Sequence, residues 1–438
     1  MEYIRRELER KFLKASQAFK AVMVVGARQV GKSTMLKQLA KDQKRTCVTM
    51  DDTQLRQFAQ TDPKLFLQTY QPPILIDEVQ KAPELFERIK IICDESEERG
   101  LFWLTGSQSK KLMKKAGDSL AGRLCVLKMY SLSQRELLGI YPDEEIDFSF
   151  PVWATRKQMF PANNVLDTFE RIWRGGMPDV QPLNQEMMQE YFNSYIETYL
   201  MRDAVDDNGI TDTEGFRKFL RACAAFAGQL LNYNDLAVSA GVTGATAKEW
   251  VKVLQSMGVI TLLEPYASNE LKRLIKTPKL YFCDTGLCAY LSSWTSRDVL
   301  MNGAASGHYY ENYVVGEFIR NYAYGKNKVN MNFYRDRNMK EIDLIIESDG
   351  ILHPIEIKKG SSPERKLINA FSVLKETEKQ TGNGGIVCMT DTLLPIDEKN
   401  FFIPSNIIYC HIDRSAVFCR LCPLVWNPGS REGFLFAF

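Results

Sequence analysis

The stretch that decides the fold is residues 21–34, which read AVMVVGARQVGKST. It opens with a short apolar run, Ala21 to Val25, that predicts a buried strand. The next nine residues, GARQVGKST, fit the pattern GxxxxGK[ST], and the helical pattern MLKQLAKDQ follows them. A strand, a glycine-bearing turn and a helix in this order predict a loop that binds phosphate groups.

The residue types of this loop explain why it suits a nucleotide. Glycines let backbone N–H groups approach phosphate oxygens, and the helix N-terminus offers further N–H groups to the same anion. Lys32 is expected to reach the β- and γ-phosphates of ATP, and the Ser33 hydroxyl to bind Mg²⁺. The residues predicted to bind the nucleotide are Gly26, Gln29, Val30, Gly31, Lys32, Ser33 and Thr34.

A pair of carboxylates supports this prediction. The run Ile74-Leu75-Ile76 predicts a buried strand that ends at Asp77 and Glu78, about forty residues after the loop. Asp77 is expected to hold Mg²⁺, directly or through water, and Glu78 to act as the general base on the attacking water. Water as the acceptor argues for hydrolysis of ATP and against a phosphotransferase.

Two further segments are candidates for contacts to the γ-phosphate. Leu101 to Leu104 predicts another strand, followed by Thr-Gly-Ser107-Gln108, so either Ser107 or Gln108 is expected near the γ-phosphate or the water. Arg123, in the segment SLAGR, is a candidate cation for the transferred phosphoryl group. It acts within its own chain or on a neighbouring subunit, or it is an ordinary surface arginine.

Length and composition set the broader class. A chain of 438 residues with 45% hydrophobic and 25% charged residues is expected to form about two to four globular domains. The net charge of +2 is nearly neutral, so the chain as a whole lacks the basic character of a dedicated nucleic-acid binder. Ten scattered cysteines, a charged N-terminus and the lack of a long apolar run predict a cytoplasmic protein without membrane segments.

The order of apolar and polar segments predicts an α/β chain of four regions. A further apolar run at Cys47 to Met50 completes an alternation of strands and helices that is typical of a parallel sheet. The predicted regions are a P-loop domain at 1–140, a linker and helical lid at 141–215, a winged helix-turn-helix at 216–300 and a mixed α/β domain at 301–438.

The third region has the outline of a winged helix. Two helical patterns meet at Gly241, and a strand is predicted at Val259 to Leu263. The candidate recognition helix, about Thr243 to Ser256, carries lysines but no arginine that would contact guanine in bidentate fashion. DNA binding and protein contact therefore both remain open for this region.

In the last region, strands are predicted at Ile342 to Ile346 and at Ile351 to Ile357. The segment Ser348-Asp349-Gly350 between them is a hairpin signal. A helix is predicted around Tyr313 to Tyr322.

Several motifs together carry a resemblance that covers nearly the whole chain. GARQVGKST, ILIDEVQ, LTGSQ and SLAGR, then YIETYLMRD, KTPKLYFCDTGL and YYENYVVGEF, resemble the bacterial and archaeal predicted ATPases that combine an AAA-type domain with DUF4143. The resemblance implies an AAA/ASCE-type parallel sheet, a winged helix and a C-terminal fold related to PD-(D/E)XK restriction endonucleases. Assembly as a homo-oligomer is suggested by the resemblance alone.

The resemblance also implies a nuclease-like site. Asp343, then Glu356 and Lys358 on the following strand, resemble the D…(D/E)xK pattern, and Glu317 is similar to an extra acid of some members. Residues two apart in a strand share a face, so Glu356 and Lys358 are expected to meet Asp343 and bind Mg²⁺. The alternative is that these residues form a decayed nuclease site or are ordinary polar positions on a hairpin.

Two functions from different classes follow. In the first, Mg²⁺-dependent ATP hydrolysis is coupled to a C-terminal module that binds or cleaves nucleic acid, which the acid-acid-lysine set favours. In the second, a slow regulatory ATPase uses its C-terminal domains to bind a protein partner and has no nuclease activity, which the near-neutral charge favours.

Overall fold

The computed structural model describes residues 2–107, 110–139, 141, 164–206, 208–266, 277–325 and 329–409. Residues 142–163 and 207 of the predicted linker and lid, the predicted sensor Gln108 and the chain beyond Tyr409 are among those that lie outside this description. No helix among the described residues is long and apolar enough to cross a membrane.

Within the described residues, the first sheet has five parallel strands. They are β1 (Ala21–Gly26), β2 (Thr46–Thr49), β3 (Ile74–Asp77), β4 (Phe102–Ser107) and β5 (Leu124–Met129). The spatial order is β2-β3-β4-β1-β5, so β4 separates the strand that leads into the P-loop from the strand that ends at Asp77. The carboxyl ends of β1 and β3 therefore lie at the same edge of the sheet, where the loops that follow them meet.

Helices cover both faces of this sheet. The described helices are α1 (Leu8–Ala18), α2 (Lys32–Ala40), α3 (Thr53–Thr61), α4 (Pro63–Thr69), α5 (Leu85–Glu95), α6 (Lys110–Leu120) and the short α7 (Gln134–Leu137). Alternate residues of β1 supply two separate cores: Val22 and Val24 pack on one face, Met23 and Val25 on the other. Burial on both faces explains why β1 is an unbroken apolar run rather than an alternating one.

A helical region follows the sheet. Its described helices are α8 (Val165–Arg174), α9 (Gln185–Tyr195) and α10 (Met201–Asp206), with a π-helical turn, Ile196–Leu200, joining the last two. These helices share a hydrophobic core with α1, α2 and one face of the sheet. The region thus packs against the P-loop domain.

The next region contains helices and a small antiparallel sheet. The helices are α11 (Thr213–Ala225), α12 (Tyr233–Ala240), α13 (Gly244–Ser256), α14 (Thr285–Leu291) and α15 (Arg297–Asn302). Strands β6 (Gln229–Leu230), β7 (Ile260–Leu263) and β8 (Lys279–Phe282) pair in the order β6-β8-β7. Gly241 adopts a φ of 72° at the turn between α12 and α13, which confirms the predicted break there.

The C-terminal part is a mixed sheet beside the long helix α16 (Ser306–Tyr324). Its described strands are β9 (Asn330–Arg335), β10 (Glu341–Ser348), β11 (Ile351–Lys358), β12 (Gln380–Thr381), β13 (Gly384–Cys388), β14 (Leu394–Pro395) and β15 (Asn400–Pro404). Strands β10 and β11 form the predicted antiparallel hairpin, with Asp349 and Gly350 at positive φ in its turn. Helix α16 packs against β8 and β11 and so joins this sheet to the preceding region.

Candidate nucleotide-binding and hydrolysis site

The P-loop connects β1 to α2 in a tightly folded path. Gln29 and Gly31 adopt φ angles of 59° and 95°, so the backbone reverses its curvature twice within three residues. Gly26 lies so close to β5 that a Cβ atom would be 2.2 Å from the carbonyl oxygen of Met129. Successive N–H groups in such a turn form an anion-binding concavity at the start of α2.

Lys32 is folded over this loop. Its Nζ donates to the carbonyl oxygens of Gly26, at 3.0 Å, and Ala27, at 2.7 Å. Burial lowers the pKa of Lys32 to about 8; Glu78 opposes the decrease and Arg28 adds to it. The ammonium group is thus held inside the loop, at the place where the phosphates of a nucleotide are expected.

Ser33 and Asp77, the two residues predicted to hold Mg²⁺, lie side by side. Ser33 Oγ donates to Asp77 Oδ1 at 2.5 Å, and Thr105 Oγ1 donates to the same oxygen at 2.5 Å. A hydroxyl and a carboxylate side by side are oxygen ligands of the kind Mg²⁺ prefers, and Mg²⁺ commonly completes its shell with water and phosphate oxygens. These residues therefore fit Mg²⁺: Ser33 and Asp77 would hold it, and the metal would neutralise charge on the phosphates.

Glu78 is held in an uncommon backbone conformation. Its φ of 56° lies in the left-handed region, which a non-glycine residue adopts only when its surroundings enforce it. Two contacts do so: the N–H of Glu78 donates to Thr105 Oγ1 at 2.9 Å, and Gln80 Nε2 donates to Glu78 Oε2. Thr105 thus positions both Asp77 and Glu78. The sequence assigned it no role and placed its neighbours Ser107 or Gln108 near the γ-phosphate or the water instead.

A cavity of about 530 Å³ lies over the P-loop. Side chains from the loop, from Glu78, from the N-terminal segment and from the helical region line it together: Tyr3, Ile4, Arg28, Lys32, Ser33, Thr34, Asp179 and Tyr199 are among them. Its volume is in the range of pockets that bind drug-sized ligands. The lining combines the cations Arg28 and Lys32 with apolar and aromatic side chains such as Ile4, Tyr3 and Tyr199, the kinds of group that phosphates and a base require.

Four side chains spaced four residues apart in the helical region face the P-loop. Tyr191 Oη donates to Gln29 Oε1 at 2.7 Å, and Tyr195 Oη donates to the Arg28 carbonyl oxygen at 3.4 Å. Tyr199 lies 5.8 Å from the Arg28 guanidinium, and Asp203 accepts a bond from it. In a regular α-helix, residues four apart differ in direction by about 40°, so a series of four would drift around the helix. The π-helical turn at Ile196–Leu200 has more residues per turn and offsets this drift, which keeps the four side chains on one face.

The remaining predicted residues lie less close to the loop. Ser107 ends β4 opposite Gly26, at the correct edge of the sheet, although its side chain is outside the described part. Arg123 precedes β5 at the opposite edge, six residue steps or roughly 20 Å along the strand from Met129, the register partner of Gly26. It forms an ion pair with Asp94 there, so action on the nucleotide of its own chain does not fit this position.

The lowered pKa of Lys32 predicts a pH dependence. As the pH rises from about 7 to about 9.5, we expect the affinity for ATP to fall by up to about tenfold per pH unit, because binding then requires Lys32 to take up a proton. Binding isotherms over this range measure it. Residual binding by Lys32→Arg is expected to stay constant, since guanidinium remains charged.

The titration of Lys32 would not unfold the chain, so unfolding does not explain the expected loss of ATP affinity at high pH. The Lys32 pKa of about 8 in the folded chain lies below the ordinary value of 10.5. Between these values the unfolded chain binds more protons, so this group makes the folded chain relatively more stable as the pH rises. An affinity that stays flat across the range would contradict the assigned position of the Lys32 ammonium group.

The nuclease-like residues form an acidic cluster, defined here as Glu311, Glu341, Asp343 and Glu356. Lys279, from β8, donates into its centre: the Nζ lies 2.8 Å from Glu311, 2.7 Å from Glu341 and 3.2 Å from Asp343. The lysine side chain is 3% exposed. Its ammonium group occupies the centre between the carboxylates, the place that a bound cation would need.

A second lysine completes the predicted triad. Lys358 Nζ lies 3.1 Å from Asp343 Oδ2 and 2.6 Å from Glu356 Oε1, so these three side chains meet as predicted. Burial alone would raise the pKa of Asp343, but Lys279 and Lys358 hold it below its usual value. Burial and the charge of Asp343 raise the pKa of Glu356 to about 8.

Glu317 does not join the acidic cluster, contrary to the prediction. It binds Arg320 Nη2 at 2.6 Å and accepts from the N–H of Gln134 at 3.2 Å, in the P-loop domain. Glu311 takes the predicted place on α16. Six residues along a helix correspond to about 600°, so the two glutamates point to different faces.

Comparisons with known proteins agree with this architecture in its coarse features. Residues 18–138 match the model of an AAA domain, residues 166–298 a domain of unknown function, DUF8612, and residues 306–408 a domain of unknown function, DUF4143. The chain thus contains an AAA-type P-loop domain with a parallel sheet and a C-terminal DUF4143 domain with a mixed sheet.

Relatives and solved structures add the following. Uncharacterized proteins of Mycobacterium bovis and Mycobacterium tuberculosis are each 26% identical over 408 residues, covering 92% of this chain and 84% of the relative. The Walker-type ATPase paby2304 of Pyrococcus abyssi has a TM-score of 0.40 at 12% identity, covering 66% of this chain and 96% of its own. The Thermotoga maritima RuvB Holliday junction branch migration motor has a TM-score of 0.29 at 18% identity, and the match covers 59% of this chain and 89% of RuvB. Both TM-scores are low, so the fold assignment rests on the strand order and the AAA match.

Proposed function

We propose that the P-loop domain binds Mg·ATP and hydrolyses it. The observation that supports this most strongly is the convergence of Lys32, Ser33, Asp77 and Glu78 at one edge of the sheet, three of them lining one cavity. A phosphate-binding loop alone would suit many nucleotide-binding proteins. A glutamate held in a strained conformation beside the metal-binding pair favours activation of water.

The proposed step transfers the γ-phosphoryl group to water. Glu78 accepts a proton from the attacking water while the water oxygen bonds to the γ-phosphorus. The bond between that phosphorus and the oxygen that bridges it to the β-phosphate breaks. ADP and inorganic phosphate are the products, and the proton on Glu78 returns to solvent. Lys32 and the N–H groups of the loop stabilise the charge that gathers on the phosphate oxygens.

A buried polar network is the feature that supports coupling to the C-terminal part. Arg6, 2% exposed, donates to the Val30 carbonyl oxygen of the P-loop at 2.5 Å and to Glu136 Oε1 at 2.9 Å. Glu136 caps α7, and the first N–H of α7 donates to Glu317 on α16. A change of P-loop conformation on nucleotide binding therefore has a continuous path of directional contacts to α16.

Lys279 favours a regulatory ATPase without metal-dependent cleavage as the function of the whole chain. With its ammonium group among the carboxylates, the acidic cluster is already charge-compensated. No group of three or more His, Cys, Asp or Glu side chains in the described part of the chain has an arrangement that would hold a metal ion. The C-terminal sheet then serves to bind a partner, either a protein or nucleic acid.

One pair of assays tests both parts. Phosphate release from Mg·ATP is measured with and without single-stranded and double-stranded DNA and RNA, and a gel follows cleavage of the same substrates. We expect turnover by the wild-type chain and no cleavage, with or without Asp343→Ala. Cleavage that disappears in Asp343→Ala would contradict the regulatory function and support the nuclease-like alternative. Stimulation of turnover by a nucleic acid would identify it as the partner.

A further inference from the structure

Arg28 is the third residue of the P-loop and lines the same cavity as Lys32, Ser33 and Glu78. Its side chain is 19% exposed, so the guanidinium is largely removed from water. The charge of Arg28 contributes to the lowered pKa of Lys32, after the larger effect of burial. Two cations from one short loop thus line the same cavity, close enough for one charge to act on the other.

Two side chains of the helical region hold the guanidinium. Arg28 Nε donates to Asp203 Oδ2 at 2.5 Å, and the Tyr199 ring centroid lies 5.8 Å from Cζ. Asp203 is itself buried, with 8% of its surface exposed. The ion pair is therefore far better shielded from solvent than a surface pair, and breaking it without a new anion for Arg28 would be costly.

A terminal phosphate is an anion that suits this position. The planar guanidinium donates parallel hydrogen bonds to phosphate oxygens, and such charge-assisted bonds are among the strong ones. Asp203 accepts its hydrogen bond from Nε of Arg28. The phosphate would have to compete with a carboxylate that already neutralises the arginine.

We propose that Arg28 binds the γ-phosphate of ATP in its own chain and that Asp203 competes with that phosphate for the guanidinium. This rests on the proposed function and assigns to Arg28 the role that the sequence suggested for Arg123. ADP lacks the competing anion, so Arg28 stays on Asp203. The exchange couples the γ-phosphate to the segment that contains the π-helical turn, since Tyr199 and Asp203 both belong to it.

The test compares affinities for a β,γ-imido analogue of ATP and for ADP, each with Mg²⁺, by titration of the full chain. Arg28→Ala should weaken binding of the analogue by roughly ten- to hundredfold and binding of ADP by less than about twofold. Asp203→Asn should tighten binding of the analogue by several fold and leave ADP unchanged, because the competing charge is removed. Arg202→Ala is the matched control: this exposed arginine lies 5.7 Å from the same Tyr199 ring and should change neither affinity.

Each other outcome has a definite meaning. Equal weakening of both ligands by Arg28→Ala, no weakening, or weaker binding of the analogue by Asp203→Asn would overturn the role of Arg28. Those results would leave the P-loop assignment standing, provided that Lys32→Ala loses both ligands. A wild-type chain that binds neither ligand would overturn both proposals. Thermal melts of all variants show whether they are folded. If Arg28→Ala does not fold, Asp203→Asn still decides the test, because asparagine has nearly the same shape as aspartate.

Discussion

Glu78→Gln is expected to bind Mg·ATP as tightly as the wild-type chain and to hydrolyse it about a hundred- to ten-thousandfold more slowly. The amide keeps the shape of the side chain and its place beside Thr105, but it does not accept a proton from water. Single-turnover phosphate release, with the enzyme in excess over ATP, measures the chemical step separately from product release.

The matched control for this variant is Glu84→Gln. Glu84 lies just before α5 and is not among the residues that line the cavity. Its replacement by glutamine removes the same charge as Glu78→Gln does. It should turn over normally. If Glu78→Gln retained wild-type single-turnover rates, Glu78 would not be the general base, and the strained conformation at this residue would need another explanation.

Lys32→Ala is expected to lower the affinity for ATP at least about a hundredfold, which corresponds to a loss of about 2.7 kcal/mol or more. The loss has two sources: the ammonium charge next to the phosphates, and the hydrogen bonds by which Nζ holds the carbonyl oxygens of Gly26 and Ala27. Isothermal titration with ATP measures the effect.

Lys37→Ala is the control for general loss of charge near the loop. Lys37 lies on α2, 54% exposed, and its Nζ is 3.3 Å from Asp77 Oδ2. Because exposed ion pairs contribute little, we expect its removal to change ATP affinity by less than about threefold. Unchanged affinity in Lys32→Ala would show that the cavity over the P-loop is not the nucleotide site.

The sequence predicted the parts of the site that lie on contiguous motifs. The P-loop, the strand that ends at Asp77 and the hairpin of β10 and β11 were recognisable because periodicity and local turn chemistry act over a few residues. The strand β5 was not predicted, because Leu124–Met129 alternates in burial at the edge of the sheet and resembles no buried run.

The parts of the site that the sequence did not predict depend on contacts between residues far apart in the chain. The distance of Arg123 from the P-loop depends on the direction of β5, which no local pattern of the chain reveals. The entry of Lys279 into the acidic cluster brings together residues 64 positions apart in sequence. The series Tyr191, Tyr195, Tyr199 and Asp203 carried a signal in its spacing of four, but a regular helix would not have kept all four on one face.

The central claim is that one cavity binds ATP through Lys32 and hydrolyses it through Glu78. Steady-state phosphate release from Mg·ATP by the wild-type chain, with Lys32→Ala and Glu78→Gln purified identically, tests it most directly. The account predicts turnover that requires Mg²⁺ and disappears in both variants. Equal phosphate release by all three proteins would trace the activity to a contaminant, and its absence from a wild-type chain that still binds ATP would leave a nucleotide switch without hydrolysis, contradicting the claim.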